Sequence, residues 1–180
     1  MIPEKIEEAT RLLLEGLEVD LSDHNFVDTP KRVAKAYAEL FSPPDIEIPV
    51  FNEHYTDMVL MRRHVFYTLC PHHLLPVRIV ASVAYIPNGK VIGASKLIRM
   101  IHDVNRLPMT QEALTNAVAC RIRELTKGGS RGEAVFMVGK HGCFQIRGVR
   151  SHDADMVTAV FRGKFDLDPD LQNQFMRLVA

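Results

Sequence analysis

Cysteine is scarce: Cys70, Cys120 and Cys143 are the only three in 180 residues. Such a small, odd set cannot supply a secreted disulfide framework. Net charge is also absent, with 22 Lys and Arg against 22 Asp and Glu, so whole-chain electrostatics leave no footprint for nucleic acid or a membrane as partner. No apolar run approaches the ~20 residues needed to span a bilayer. The opening Met1-Ile2-Pro3-Glu4-Lys5-Ile6-Glu7-Glu8 lacks the basic-then-apolar order of a signal peptide. The phosphate-binding pattern G-x-x-x-x-G-K-S/T, the dinucleotide pattern G-x-G-x-x-G and the zinc helix H-E-x-x-H are missing. So is the zinc-deaminase pairing of H-x-E with P-C-x-x-C. Repeats, low-complexity stretches and linkers do not occur either. With 47% apolar and 24% charged residues, the composition is that of a soluble globular protein. The length fits about one domain and allows roughly 70% of the unfolded surface to be buried. The expectation is a single cytoplasmic domain over 1–180.

Ile6, Ala9, Leu13 and Leu17 recur at helical spacing and predict a helix over 3–17. Thr29-Pro30 starts a second, with Thr29 as N-cap and Pro30 at the first helical position, and Ser42-Pro43-Pro44 stops it. Residues 45–56 read as a loop. β-Branched and aromatic residues predict strands over 58–70 and 76–86, followed by a tight turn at Pro87-Asn88-Gly89. Helices follow at about 95–106 and 110–127, the second ended by Gly128-Gly129. Residues 133–139 and 144–150 read as two further strands, 157–165 as continued pairing, and 169–180 as a short helix. Strand pairs flanking a helical pair give an α+β domain with a mostly antiparallel sheet.

The densest chemistry is Cys70-Pro71-His72-His73. Cys70 and His73 have the short chelate spacing that lets one turn offer a thiolate and an imidazole to one ion. His141-Gly142-Cys143 follows, with Cys143 73 positions after Cys70, at the turn expected between two other strands. Soft ligands of this kind point to zinc rather than magnesium or calcium. Three ligands with an open fourth position would be a catalytic site, and four would be a structural one. Cys120 falls in the apolar phase of its helix and reads as a small buried hydrophobe.

Cationic residues come in short pairs: Arg32 with Lys35 and Lys96 with Arg99, directly after Ser95, each share a helix face, and Arg147 and Arg150 sit on the strand expected after Cys143. Converging donors of this sort bind polyphosphate, although any single pair also reads as an ordinary solvated surface. Glu112 opens a helix, where an acid complements the macrodipole. A carboxylate there could equally accept two N–H bonds from a guanine edge.

Taken together, these segments resemble GTP cyclohydrolase I. The residues that carry the resemblance are Cys70-Pro71-His72-His73-Leu74-Leu75-Pro76, the stretch from Ala84 through Pro87-Asn88-Gly89 to Ser95-Lys96-Leu97, Gln111-Glu112-Ala113-Leu114-Thr115, and His141-Gly142-Cys143 through Arg147-Gly148-Val149-Arg150. Thr29-Pro30-Lys31-Arg32-Val33-Ala34-Lys35 matches the family's upstream helix.

The resemblance implies a tunnelling fold, with N-terminal helices over 1–42 and a core over 57–180. In it an antiparallel β-sheet carries a helical pair on one face. Sheets of neighbouring subunits join into rings, and two pentameric rings stack into a homodecamer with active sites between subunits. It also implies a ligand set of Cys70, His73 and Cys143 for a zinc ion (Zn2+), with His72 and His141 as an acid/base pair. Arg32, Lys35, Ser95, Lys96, Arg99 and Arg147 would hold the triphosphate, and Gln111 and Glu112 would recognise guanine. The implied reaction opens the imidazole ring of GTP, releases formate and forms 7,8-dihydroneopterin triphosphate, the first step toward folate, another pterin or a deazapurine. Three departures stand out. Pro71 replaces the family's usual Glu, Ala113 its usual Arg, and Asp155-Met156-Val157-Thr158-Ala159 is poorer in Thr and Ser. They keep two alternatives open: a related enzyme acting on another purine or pterin, and a nucleotide-binding ring protein without turnover.

Overall fold

The computed structural model describes residues 1–43, 45 and 47–180. Pro44, the last residue of the expected helix stop, and Ile46, in the expected loop, lie outside them. The chain divides into two compact units, Met1–Pro44 and Asp45–Ala180.

In the first unit, α1 (Pro3–Gly16) packs on α2 (Thr29–Phe41). Thr10 and Leu14 are buried on α1, and Pro30, Ala34 and Phe41 on α2. The expected cap is displaced by one residue: Asp28 holds the N-cap position and Thr29 is already helical. The preceding chain is wound before the helix begins, with Thr29 N donating to Phe26 O. Asp28 then pairs through its carboxylate with Arg32, 3.2 Å away, and makes no side-chain cap.

The second unit is built on β2 (Val59–Leu69), β3 (Pro76–Pro87), β5 (Ser130–His141) and β6 (Met156–Gly163), which form one antiparallel sheet in the order β2-β3-β5-β6. Side-chain alternation assigns the faces. On one face Phe66, Ile79, Val83, Tyr85, Val135 and Met137 pack with Leu97, Met100 and Ile101 of α3 (Ala94–Val104) and Leu114, Val118 and Ile122 of α4 (Gln111–Leu125). Each of these large apolar side chains contributes about 1.5–3 kcal/mol by its burial. On the other face Ala84, Ile86 and Ala134 meet Phe165 of α6 (Lys164–Leu167) and Phe175 and Val179 of α7 (Pro169–Val179). Asp103 bonds Arg106 at 2.8 Å and Arg121 at 3.0 Å, tying α3 to α4. The result is the α+β tunnelling-fold arrangement expected from the sequence: an antiparallel sheet with a helical pair on one face. Among the described residues no helix is long and apolar enough to cross a membrane.

Two further expectations need correction. The loop 45–56 contains β1 (Val50–Asn52), which pairs antiparallel with β4 (Lys90–Ile92), the strand that follows the turn at Gly89, whose φ is +78°. Three residues carry too little periodicity to announce a strand; the pairing is a tertiary event. Residues 144–150 form no strand. The chain makes one helical turn, α5 (Gly142–Gln145), and then irregular turns through Arg150 at φ 50°. Phe144, Ile146 and Val149 supply β-favouring composition, but Ile146 and Val149 are 65% and 79% exposed and have no sheet to pack on. The neighbour of β5 on that side is β6.

Candidate metal centre and active site

Leu69 ends β2, and the chain turns back at once: Leu74 N donates to Cys70 O at 2.8 Å and Cys70 N to Leu75 O at 2.9 Å. Cys70 is buried within this turn, while His72 and His73 stand out from it. Across the sheet, Val77 of β3 pairs with His141 of β5. The short turn of α5 after His141 brings Cys143 back toward Cys70. One donor atom each from Cys70, His73 and Cys143 lies within 4.8 Å of the others. The three expected ligands therefore meet, although their second loop is a helical turn and not the expected hairpin. Cys120 lies outside this group; its Sγ accepts from Arg162 Nη1 at 3.1 Å.

The electrostatics suit a cation. Burial, reinforced by the neighbouring Cys70, pushes the Cys143 thiol up, against a smaller downward pull from Arg147. A neighbouring thiol opposes the ionisation of Cys143, and a divalent ion removes that conflict. His73 Nδ1 stands 3.8 Å from Cys70 Sγ, while its Nε2 lies 2.8 Å from Arg147 Nη1. His72 Nδ1 approaches the same sulfur at 3.8 Å, and its ring is 6.4 Å from that of His73.

His141 is buried, stacks on Phe144 with ring centroids 5.6 Å apart, and lies 2.8 Å through Nε2 from Gln111 Oε1. Gln111 is buried as well, and its Nε2 contacts Met137 O, Met156 O and Thr158 Oγ1 at 3.2, 3.0 and 3.1 Å. Three acceptors fix the amide nitrogen, which turns Oε1 toward the ring. His141 Nε2 therefore carries the proton of that bond. Burial lowers the His141 pKa, and the charge of nearby Glu112 works in the opposite direction. Glu112 is exposed on the first turn of α4, which Thr110 caps by accepting from Ala113 N. The structure thus groups Cys70, His72, His73, His141, Cys143, Gln111, Glu112 and Arg147 near one end of the sheet. It commits the side chain of Gln111 to His141 and the strands.

Ser95, Lys96 and Arg99 are not brought to that end within one chain. Ser95, Lys96 and Arg99 begin α3, whereas Asn105, just past its C-terminus, holds Tyr67 O close to Cys70. Ten residues of helix separate Ser95 from Asn105, about 15 Å. Arg32 and Lys35 belong to the first unit, where they pair with Asp28 at 3.2 Å and Glu39 at 3.9 Å on the surface of α2. Arg147 and Arg150 lie on the irregular turn after α5 and not on a strand.

Three features of the site are absent from the sequence-based expectations. Phe144 stacks on His141; Thr158 holds Gln111, with Thr115 2.7 Å behind it. Gly139 leaves the room for the Gln111–His141 contact, since a Cβ there would overlap the Gln111 amide and stand 3.0 Å from His141 Nε2. A glycine inside a strand is itself a signal of close approach. It could have been read.

The GTP cyclohydrolase I family profile matches residues 6–180. A Clostridium perfringens (strain 13 / Type A) protein named GTP cyclohydrolase 1 is 37% identical over 98% of this chain and 97% of its own. The GTP cyclohydrolase 1 of Bacillus mycoides (strain KBAB4) is 40% identical over 98% of this chain and 95% of its own. Among solved structures, that of the archaeosine synthase QueF-Like in the apo form aligns at 14% identity and TM-score 0.48, covering 59% of this chain and 93% of that one. With relatives matching almost from end to end and a Cys-His-Cys group at the end of its sheet, the chain belongs to the GTP cyclohydrolase I family of enzymes.

Proposed function

We propose that this enzyme opens the imidazole ring of GTP at C8, releases that carbon as formate and yields 7,8-dihydroneopterin triphosphate. The observation that carries the reading is the convergence of Cys70, His73 and Cys143 within 4.8 Å beside a histidine whose tautomer is fixed by Gln111. The donor set fits zinc: two thiolates and an imidazole are soft to borderline ligands. The 3.8 Å between Cys70 Sγ and His73 Nδ1 is close to the ~3.5 Å that separates sulfur and nitrogen on one tetrahedral zinc. When bound, zinc supplies Lewis acidity that makes water nucleophilic near neutral pH.

The protein's own groups do the rest. With Nε2–H of His141 engaged by Gln111, Nδ1 is the ring atom left to exchange a proton with the purine, and His72 is the second proton carrier. Imidazole suits both roles because its ordinary pKa lies near the working pH. Glu112 accepts the N–H groups of the guanine edge, and Gln111 serves that site by orienting His141. Ser95, Lys96, Arg99, Arg147, Arg32 and Lys35 bind the triphosphate, which holds C8 in place by remote contacts. The distance along α3 between Ser95 and the metal end supports sites shared between subunits; the assembly we propose is a homodecamer of two stacked pentameric rings in the cytoplasm. The product would enter folate, another pterin or a deazapurine pathway.

The test is incubation of metal-analysed protein with GTP, following formate and the fluorescence of the oxidised pterin. Both products should appear in proportion to zinc content and vanish in His141→Ala. Tight GTP binding without either product would overturn the reading, and Pro71→Glu would then test whether Pro71 is responsible.

A further inference from the structure

We infer that metal loading and triphosphate binding are coupled through the hydrogen bond between Arg147 and His73. The two sites meet on one imidazole: His73 Nδ1 faces Cys70 Sγ at 3.8 Å, and Nε2 faces Arg147 Nη1 at 2.8 Å. A guanidinium has donors only. In that contact Nε2 must be the lone-pair nitrogen, so in the neutral ring the proton sits on Nδ1. A metal taken through Nδ1 needs the lone pair there, which puts the proton on Nε2. An N–H would then face a donor-only guanidinium, and the bond is lost.

Arg147 therefore has two mutually exclusive states. It is either a partner of His73 with Nδ1 protonated, or a free cation with Nδ1 ligating. It sits exposed on the turn after α5, where the side chain can swing without disturbing the core. Among the described residues its side chain makes no hydrogen bond other than that to His73. Metal binding hands this cation to the triphosphate. By reciprocity, a triphosphate that draws Arg147 away strengthens the metal site by the same factor. The inference rests on the reading above that Arg147 binds phosphate.

The experiment measures binding without turnover, using 7-deaza-GTP, whose carbon at position 7 blocks ring hydrolysis, with magnesium present so that the nucleotide does not draw zinc. Calorimetric titrations compare zinc-loaded and chelator-stripped protein, as wild type and as Arg147→Ala, with 7-deazaguanosine as the probe that lacks phosphate. In wild type, zinc should tighten 7-deaza-GTP about five- to ten-fold, and competition with a chelator should show zinc tightened equally by the nucleotide. The nucleoside should show no such gain, and Arg147→Ala should lose it. If Arg147→Ala keeps the full zinc-dependent gain, the coupling is general charge attraction and the inference is wrong. If Arg147→Ala binds 7-deaza-GTP as tightly as wild type when zinc is present, Arg147 is not a phosphate ligand. That result removes the phosphate assignment and the coupling together, and leaves the ring-opening chemistry to be judged by its own assay.

Discussion

Gln111 Oε1 stands 2.8 Å from His141 Nε2, and the contact is set from behind. Thr115 donates or accepts across 2.7 Å to Thr158, Thr158 meets Gln111 Nε2 at 3.1 Å, and two strand carbonyls complete the nitrogen's partners. The amide is a spacer between two strands and one ring.

Replacing Gln111 with Met keeps most of the volume and removes both ends of that spacer. Met137 O, Met156 O and Thr158 Oγ1 lose a donor in a buried place, at a cost of about 1–3 kcal/mol. His141 loses the bond that fixes its tautomer, so activity should drop by about 10²-fold, mainly in kcat. Denaturant midpoints and steady-state kinetics on the same sample check both; unchanged kcat with lowered stability would show Gln111 to be structural alone.

Gly139→Ala attacks the same relationship from the strand. Its Cβ would overlap the Gln111 amide and crowd His141 Nε2 at 3.0 Å. Overpacking of this kind costs about 1–3 kcal/mol, and the displaced groups are those that orient His141. Activity should fall more than thermal stability does. Gly16→Ala, at a position with nothing within 4 Å of the new carbon, is the matched control and should leave both unchanged.

Much of this site was legible because its signals are local. The Cys70–His73 spacing, the tight turn at Pro87-Asn88-Gly89 and the Gly128-Gly129 stop after α4 each depend on a few neighbouring residues. The misreadings share one cause: they needed a partner the local sequence does not name. Phe144, Ile146 and Val149 have strand composition, yet the place beside β5 goes to β6, and Gly142 lets the chain turn under Pro76 O. Val50–Asn52 is a strand because Lys90–Ile92 lies beside it. Gln111 and Glu112, neighbours in sequence, both read as guanine contacts, yet the fold sends them in different directions. One residue of helix turns a side chain by about 100°, so Gln111 faces the sheet while Glu112 faces out.

The metal group can be tested by cysteine identity. Cys143→Ser should lose stoichiometric zinc, because it removes one of three converging donors. Cys120→Ser should retain it, its sulfur being engaged by Arg162. Chelation should lower the melting temperature of wild type and of Cys120→Ser, since an ion bound to the folded state stabilises it by mass action. It should leave Cys143→Ser unmoved. Equal zinc content in the two variants, by elemental analysis, would exclude Cys143 as a ligand.

A second pair of histidines makes a prediction about pH, away from the metal. His64 on β2 stacks on Phe66 and meets His102 of α3 edge-on at 5.3 Å, and His64 Nε2 is buried without a partner. Burial lowers the pKa of both rings below the usual 6.5, and the proximity of His102 lowers that of His64 further. The unfolded chain then binds more protons than the folded one between the lowered values and ~6.5, so stability rises with pH across that window. It is fully present above ~6.5 and is lost as the pH falls below it, because each ring must be charged inside an aromatic seam to stay folded. Melting temperatures between pH 7.5 and 5.5 should therefore decline, and His64→Phe with His102→Phe should flatten the decline. His24, 90% exposed beside Asp23, is the control: His24→Ala should keep the wild-type slope. A double variant that melts with that same slope would place the acid sensitivity elsewhere, with His141, also lowered by burial, the next group to replace.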